Sequence, residues 1–103
     1  MPEYINVGNL SEFTEGKVHP LVIADVKIAL VQSEGALYAF SNECTHIGVE
    51  LTSGEIYGQN IVCWLHGSLF DMSSGARLDG PASDPLTVYD VKVEDDDVLI
   101  GKP

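Results

Sequence analysis

Basic residues are scarce in this chain. Its 103 residues include 5 lysines and arginines against 16 aspartates and glutamates, which gives a formal net charge of -11 at pH 7. A surface of this sign repels phosphate backbones and argues against nucleic acid as a ligand. The same acidity favours partners with basic faces, and it also keeps a small protein dissolved and monomeric.

Long apolar runs and targeting signals are missing as well. No stretch approaches the roughly 20 consecutive apolar residues of a membrane-spanning helix, and Met1–Tyr4 shows neither the basic stretch nor the cleavage site of a secretory signal. We therefore expect a cytoplasmic protein that does not enter membranes. Because the chain has one domain's worth of residues and neither repeats nor a low-complexity linker, residues 1–103 are predicted to form a single domain.

Helical periodicity is the third feature that is lacking. No window of about 11 residues or more keeps apolar residues at helical spacing, whereas glycine, proline and Asp/Asn punctuation is frequent, so the chain is predicted to be mostly β. Gly35 supplies the positive φ of one hairpin turn, and Asp95–Asp97 is predicted to form another turn. The predicted extended segments are Tyr4–Val7, Lys17–Ile23, Val26–Val31, Ala36–Phe40, a hairpin over Glu55–Val62 turning at Gly58–Asn60, a half-buried strand over Tyr89–Val93, and Val98–Ile100.

Cysteine occurs only twice, and each cysteine has a histidine close by. Cys44 and His46 are followed by 16 residues and then by Cys63 and His66. Side chains at i and i+2 of an extended loop leave the same side of the backbone, so the first pair can converge. The second pair needs a tight turn, which Gly67 allows. Two such loops make a four-ligand cage, which a tetrahedral zinc ion would also accept; a disulfide between the cysteines is the remaining alternative.

The double motif, Cys-x-His and then Cys-x-x-His, resembles that of Rieske proteins. The run Cys63–Asp71 followed by Gly75 is similar to the second cluster-binding loop of that family, and Gly80–Ala82 is similar to its proline-containing loop. The resemblance implies an all-β Rieske fold. That fold has an antiparallel, β-sandwich-like base and a small cluster-binding subdomain of two loops, here at about residues 42–85.

The resemblance also implies the cofactor, one Rieske [2Fe-2S] cluster. Its oxidised core carries about +2, so two thiolates and two neutral imidazoles bring the site to zero, whereas four thiolates would make it about -2. A neutral site accepts an electron more readily than a dianion, which raises the reduction potential. In the implied arrangement Cys44 and Cys63 bind one iron, His46 and His66 bind the other, and Gly67, Ser68 and Pro81 lie beside the cluster.

The chain departs from the respiratory branch of the family at three positions. Respiratory members join their two loops by a disulfide, but Val49 and Leu65 stand at those places here. They also raise the potential with a serine and a tyrosine hydroxyl; Ser68 matches the first, whereas Phe70 has no hydroxyl to donate. We therefore expect a potential toward the low end of the Rieske range, near about -150 mV rather than about +300 mV.

These features resemble the Rieske ferredoxins of bacterial aromatic-ring-hydroxylating oxygenase systems. The resemblance implies a carrier of single electrons from a NAD(P)H-dependent flavin or iron-sulfur ferredoxin reductase to a terminal Rieske oxygenase. The chain is then not an enzyme, in keeping with the lack of a catalytic triad or phosphate-binding loop. Two alternatives stay open: a Rieske-like small subunit of a reductase such as assimilatory nitrite reductase, and a zinc-binding interaction module.

Overall fold

The fold is built almost entirely from antiparallel strands. A computed structural model describes residues 3–43, 51–63, 67–79 and 85–101. These residues contain eleven strands in three sheets and two short 3-10 helices, Leu10–Glu12 and Leu51–Ser53. No helix among them is both long and apolar enough to cross a bilayer. The prediction of an all-β antiparallel fold is confirmed.

The three sheets are named here by position. The terminal sheet has the strand order β1-β11-β10, the central sheet β2-β3-β4-β9, and the small sheet β5-β6-β7-β8. The strands are β1 (Tyr4–Asn9), β2 (Val18–Ile23), β3 (Val26–Ser33), β4 (Ala36–Ser41), β5 (Glu55–Tyr57), β6 (Asn60–Val62), β7 (Leu69–Asp71), β8 (Arg77–Asp79), β9 (Val88–Tyr89), β10 (Val91–Glu94) and β11 (Asp97–Gly101).

Strand β3 explains how the sheets are layered, because it is buried on both faces. Successive side chains of a strand point to opposite sides. Ile28 and Leu30 therefore enter one hydrophobic core, which they share with Ile100 of the terminal sheet. Ala29 and Val31 enter a second core, which contains residues of the small sheet. The central sheet thus lies between two apolar layers, as its continuous apolar run over β3 requires.

The predicted hairpins are confirmed, and their turns are tight. Glu34 and Gly35 have φ of 52° and 82°, the left-handed pair that a two-residue type I′ turn demands. Ala24 and Asp25, with φ of 50° and 65°, join β2 to β3 in the same way. The remaining turns are shorter than predicted: Asn60 and Asp97 belong to strands, which leaves Gly58–Gln59 and Asp95–Asp96 as the turns.

The predicted single strand over Tyr89–Val93 is wrong. The structure divides it at Asp90, with β9 pairing with β4 of the central sheet and β10 pairing with β11 of the terminal sheet. The Asp90 carbonyl accepts a hydrogen bond from the Gly101 amide at 2.8 Å, which holds the crossing point. Val93 is 43% exposed, so the half-buried alternation ends after Val91.

Candidate metal centre

Cys63 is the one predicted ligand that the described residues include. It follows the last residue of β6, is only 1% exposed and forms no disulfide within the described part of the chain. Its amide donates to the Ser68 carbonyl at 2.8 Å, and its carbonyl accepts from the Gly67 amide at 3.0 Å. These two bonds close a tight turn directly after the cysteine.

Gly67 completes that turn, as the Cys-x-x-His-Gly spacing predicts. Its φ of 74° lies in the left-handed region, which side chains with a Cβ disfavour. No described atom lies within 4 Å of the position that a Cβ would take, so the requirement for glycine comes from the backbone angle and not from crowding. Trp64–His66, between Cys63 and Gly67, lie outside the described residues.

The Cys63 side chain lies against the second hydrophobic core. This core surrounds the cysteine with fully buried Leu51, Ile61 and Phe70. Ser68 is also fully buried and has a polar interaction of its own. The Phe70 ring belongs to this core and contributes apolar packing.

The other predicted site residues lie outside the described part of the chain, but the segments that flank them are described. Cys44 and His46 fall in residues 44–50, His66 in residues 64–66, and Pro81 in residues 80–84. The structure describes the residues that adjoin these three predicted loops.

Asn42 anchors both ends of the first loop, and sequence reasoning missed this residue. Its side chain is 1% exposed; Oδ1 accepts from the Leu51 amide at 3.0 Å, and Nδ2 donates to Oγ1 of Thr52 at 2.9 Å. An asparagine before a loop is an ordinary turn residue in a sequence. The only signal was its place two residues before Cys44.

Gly75 and Leu86 anchor the far side of the predicted proline-containing loop. The Gly75 carbonyl accepts from the Leu86 amide at 2.7 Å. One residue further on, the Thr87 carbonyl accepts from the Ser41 amide at 2.8 Å. The chain that leaves this loop is therefore fixed to the small sheet's β7–β8 turn and to the end of β4.

Asp71 organises the end of the small sheet. Its carboxylate accepts from the Ser73 amide at 2.8 Å and hydroxyl at 2.7 Å, and from Nε2 of Gln59 at 3.1 Å. The Ser73 hydroxyl is the main cause that holds the pKa of Asp71 below its usual value, with smaller contributions from neighbouring amides and Gln59. These bonds tie the β5–β6 turn to the β7–β8 turn.

His19 lies outside the predicted ligand motif and contacts Phe13 and Thr14. Its Nε2 lies 3.1 Å from the Thr14 carbonyl, and its ring meets the Phe13 ring edge-on at 5.3 Å. The chain has three histidines, so His46 and His66 remain as candidate ligands. Among the described residues no group of three or more His, Cys, Asp or Glu side chains could hold a metal ion.

Comparison with known families identifies the class of protein. The sequence profile of the Rieske [2Fe-2S] domain matches residues 3–90, and the chain therefore belongs to the Rieske [2Fe-2S] domain family. Its cofactor is an iron-sulfur cluster of Rieske type. The described residues fit such a group, because Cys63 offers a free thiol on an apolar wall, at the start of a closed turn.

Individual relatives narrow the class to ferredoxins. The chain is 34% identical over 98 residues to the ferredoxin component of the naphthalene 1,2-dioxygenase system of Pseudomonas putida, covering 95% of this chain and 94% of that protein. The structure resembles the ferredoxin of carbazole 1,9a-dioxygenase from Nocardioides aromaticivorans IC177, with a TM-score of 0.92, 26% identity and coverage of 97% and 98%.

A second solved structure, described as a complex of reduced oxygenase and oxidized ferredoxin in carbazole 1,9a-dioxygenase, matches with a TM-score of 0.89 and 25% identity, covering 95% of this chain and 92% of that one. The prediction of a Rieske-type ferredoxin that resembles those of aromatic-ring dioxygenase systems is confirmed.

Proposed function

We propose that this chain is the electron-carrying ferredoxin of an aromatic-ring-hydroxylating dioxygenase system. It takes single electrons from a NAD(P)H-dependent ferredoxin reductase and delivers them to a terminal Rieske oxygenase. The observation that carries the proposal is likeness over the whole length of both proteins, at 95% and 94% for the naphthalene relative. The likeness therefore includes the sheets that support the site as well as the ligand motif.

The cofactor in this proposal is one [2Fe-2S] cluster held by Cys44, His46, Cys63 and His66. When bound, it supplies a site that accepts one electron and gives it up again without bond rearrangement. Cys63 approaches from the apolar core, which keeps water from its sulfur. Neutral imidazoles at the two histidines keep the net charge of the site low, and Gly67, Ser68 and Pro81 lie beside the cluster.

The domain organisation is proposed as a single domain over residues 1–103, with a cluster-binding subdomain at about residues 42–85. The small sheet lies within this span, and Cys63 and Phe70 pack in one core with Ala29 and Val31 of β3. Because the core is shared, the subdomain depends on the base for its stability. The ligands then lie in the loop before the small sheet and in the loop between its strands β6 and β7.

Docking in this proposal uses the acidic surface. The net charge of -11 favours reductase and oxygenase faces that are basic. An oxygenase and ferredoxin complex is known for the carbazole 1,9a-dioxygenase relative, and we propose that the present chain docks in a comparable way. We also propose that it is a cytoplasmic monomer, since a diffusing carrier must meet two partners in turn.

The deciding experiment is electron paramagnetic resonance of the purified, dithionite-reduced protein, with iron and sulfide assayed in the same sample. We expect one cluster per chain and a rhombic signal whose average g value is below that of the free electron. The protein should then pass electrons from its cognate reductase to its cognate oxygenase. Zinc in place of iron, with no signal, would overturn the proposal. A chain isolated only within a stable reductase complex would favour the small-subunit alternative.

A further inference from the structure

Asn42 is almost completely buried, yet it stands directly before the first predicted ligand loop. Only 1% of its surface is exposed. Its side chain forms hydrogen bonds with Leu51 and Thr52, which directly follow that loop. A buried polar side chain is stable only when its hydrogen bonds are made, and here they are made between the two ends of one loop.

The contacts determine how the Asn42 amide is oriented. The Leu51 amide can only donate, so the atom 3.0 Å from it must be the carbonyl oxygen Oδ1. Nδ2 then faces Oγ1 of Thr52 at 2.9 Å and donates to it. The same hydroxyl lies 3.3 Å from Oδ1. The side-chain amide thus binds a main-chain group and a side-chain group at once. Rotating it by half a turn would break the contact with the Leu51 amide, whereas the Thr52 hydroxyl can donate as well as accept.

Each end of this bridge is itself fixed. The main-chain amide of Asn42 donates to the Lys27 carbonyl at 3.0 Å, which ties Asn42 to the start of strand β3. Leu51 is fully buried in the same core as Cys63. The bridge therefore connects three parts of the molecule: the central sheet, the end of the first loop, and the apolar wall behind the cysteine of the second loop.

We propose that Asn42 is a positioning residue that sets the placement of Cys44 and His46 relative to Cys63. The inference rests on the proposed function, in which these side chains hold one cluster. Joining the ends of a loop removes conformational freedom before the metal group binds. Ligand constellations depend on distances held to about half an ångström by supporting hydrogen bonds. The Asn42 side chain supplies two such bonds directly at the loop ends.

The test compares variants of the cluster-loaded protein. Asn42→Leu keeps the branched arrangement of side-chain heavy atoms and loses both bonds, which leaves the buried Leu51 amide without its acceptor. Thr52→Val removes only the hydroxyl contact. Ser33→Ala is the matched control, because the Ser33 hydroxyl is buried, at 6% exposure for the residue, and donates to the Gly58 carbonyl at 2.8 Å. This partly buried hydrogen bond joins the central sheet to the β5–β6 turn of the small sheet and does not involve the first loop.

The readouts are the g values of the reduced cluster, its reduction potential, and the rate at which an iron chelator removes iron. For Asn42→Leu we expect shifted g values and an iron release about tenfold faster, the factor expected for one unsatisfied buried group. Thr52→Val should shift the g values and the rate of iron release in the same direction, but by a smaller amount. Ser33→Ala should lower the stability and leave the g values and the potential as in the wild type.

Either result decides the question. If Asn42→Leu and Ser33→Ala keep wild-type g values and release iron in proportion to their lost stability, Asn42 is an ordinary structural residue and the inference is wrong. If Asn42→Leu does not fold, Thr52→Val decides by the same criterion. A wild-type protein without a [2Fe-2S] spectrum would instead refute the proposed function. A wild-type spectrum with unaltered variants refutes only the role of Asn42.

Discussion

Gly75 and Leu86 approach each other so closely that only glycine fits. The Gly75 carbonyl accepts the Leu86 amide at 2.7 Å, and a Cβ on Gly75 would stand 2.1 Å from the Leu86 carbonyl oxygen. The contact joins the β7–β8 turn to the segment that leads from the predicted proline-containing loop into β9. It therefore determines where that loop ends.

The first prediction is that Gly75→Ala destabilises the protein far more than Gly16→Ala. Both glycines have φ near 80°, so both changes carry the cost of a left-handed alanine, about 1 kcal/mol. At Gly16 no described atom lies within 4 Å of the new Cβ, whereas at Gly75 the backbone itself must move, which adds about 2 kcal/mol or more. Urea unfolding followed by circular dichroism measures both. Equal losses would contradict the close contact.

The second prediction concerns the turn between β2 and β3. Ala24 has a φ of 50°, where alanine is strained and asparagine is tolerated. Ala24→Asn should therefore raise the free energy of unfolding by up to about 1 kcal/mol and increase the melting temperature. Gly35→Ala, which places an alanine at a φ of 82° in the next hairpin, should have the opposite effect. A lower melting temperature for Ala24→Asn would argue against the type I′ turn.

The third prediction is a dependence of stability on pH. Hydrogen bonds, above all from the Ser73 hydroxyl, hold the pKa of Asp71 below its usual 3.8 in the folded protein. As pH falls, the unfolded chain binds this proton first. The stabilisation from Asp71 is thus complete above its ordinary pKa and disappears as pH falls through the folded one.

Asp71→Asn should accordingly be less stable than the wild type at pH 6, and the difference should shrink as pH falls below about 4. Ser73→Ala, which removes the largest cause of the lowered pKa, should reduce the pH dependence while keeping the charge. Urea midpoints between pH 3 and pH 6, taken as differences from the wild type, measure the effect. A difference independent of pH would show that the Asp71 carboxylate has an ordinary pKa.

The fourth prediction distinguishes the proposed cluster ligands Cys63 and His66 from His19, which is not a proposed ligand. Cys63→Ser or His66→Ala should abolish the cluster, because ligand bonds supply folding energy to a glycine-rich segment. His19→Gln is the matched control; its ring contacts Phe13 and the Thr14 carbonyl, so the variant should keep full iron content. Iron assay and the visible spectrum distinguish the three. A Cys63→Ser protein with wild-type iron and spectrum would disprove the ligand assignment.

The fifth prediction is that electron transfer from the reductase slows as salt rises. The screening length falls from about 10 Å at 0.1 M to about 3 Å at 1 M, which removes steering by a charge of -11. Stopped-flow reduction of the cluster at increasing ionic strength gives the rate. A rate that does not change would make the acidity a matter of solubility alone.

Local patterns predicted much of this fold. The hairpin turning at Gly35 and the turn ending at Gly67 follow from residue types within a few positions of each other, and the structure contains both. The strands β7 and β8 were not predicted: they have three residues each, and unlike β5 and β6 they are not joined by a two-residue turn that local residue types indicate. The division at Asp90 was missed because alternation does not reveal with which sheet a strand pairs.

The sequence predicts a set of ligands for the site but does not predict the residues that support them. The spacing around Cys44 and Cys63 identifies the chemistry without any structure, and the assignment of all four ligands, like the low reduction potential, stays a prediction. The role of Asn42 depends on Leu51, nine residues away, and that of Gly75 on Leu86, eleven residues away. Such contacts form only when the chain is folded, so no local sequence pattern predicts them.

Strand β3 has a consequence for engineering. Ile28 and Leu30 belong to the core shared with the terminal sheet, and Ala29 and Val31 belong to the core that contains Cys63. A single strand therefore contributes to both hydrophobic cores. The cluster-binding subdomain therefore cannot be transferred to another scaffold without the residues of β3 that pack in its core.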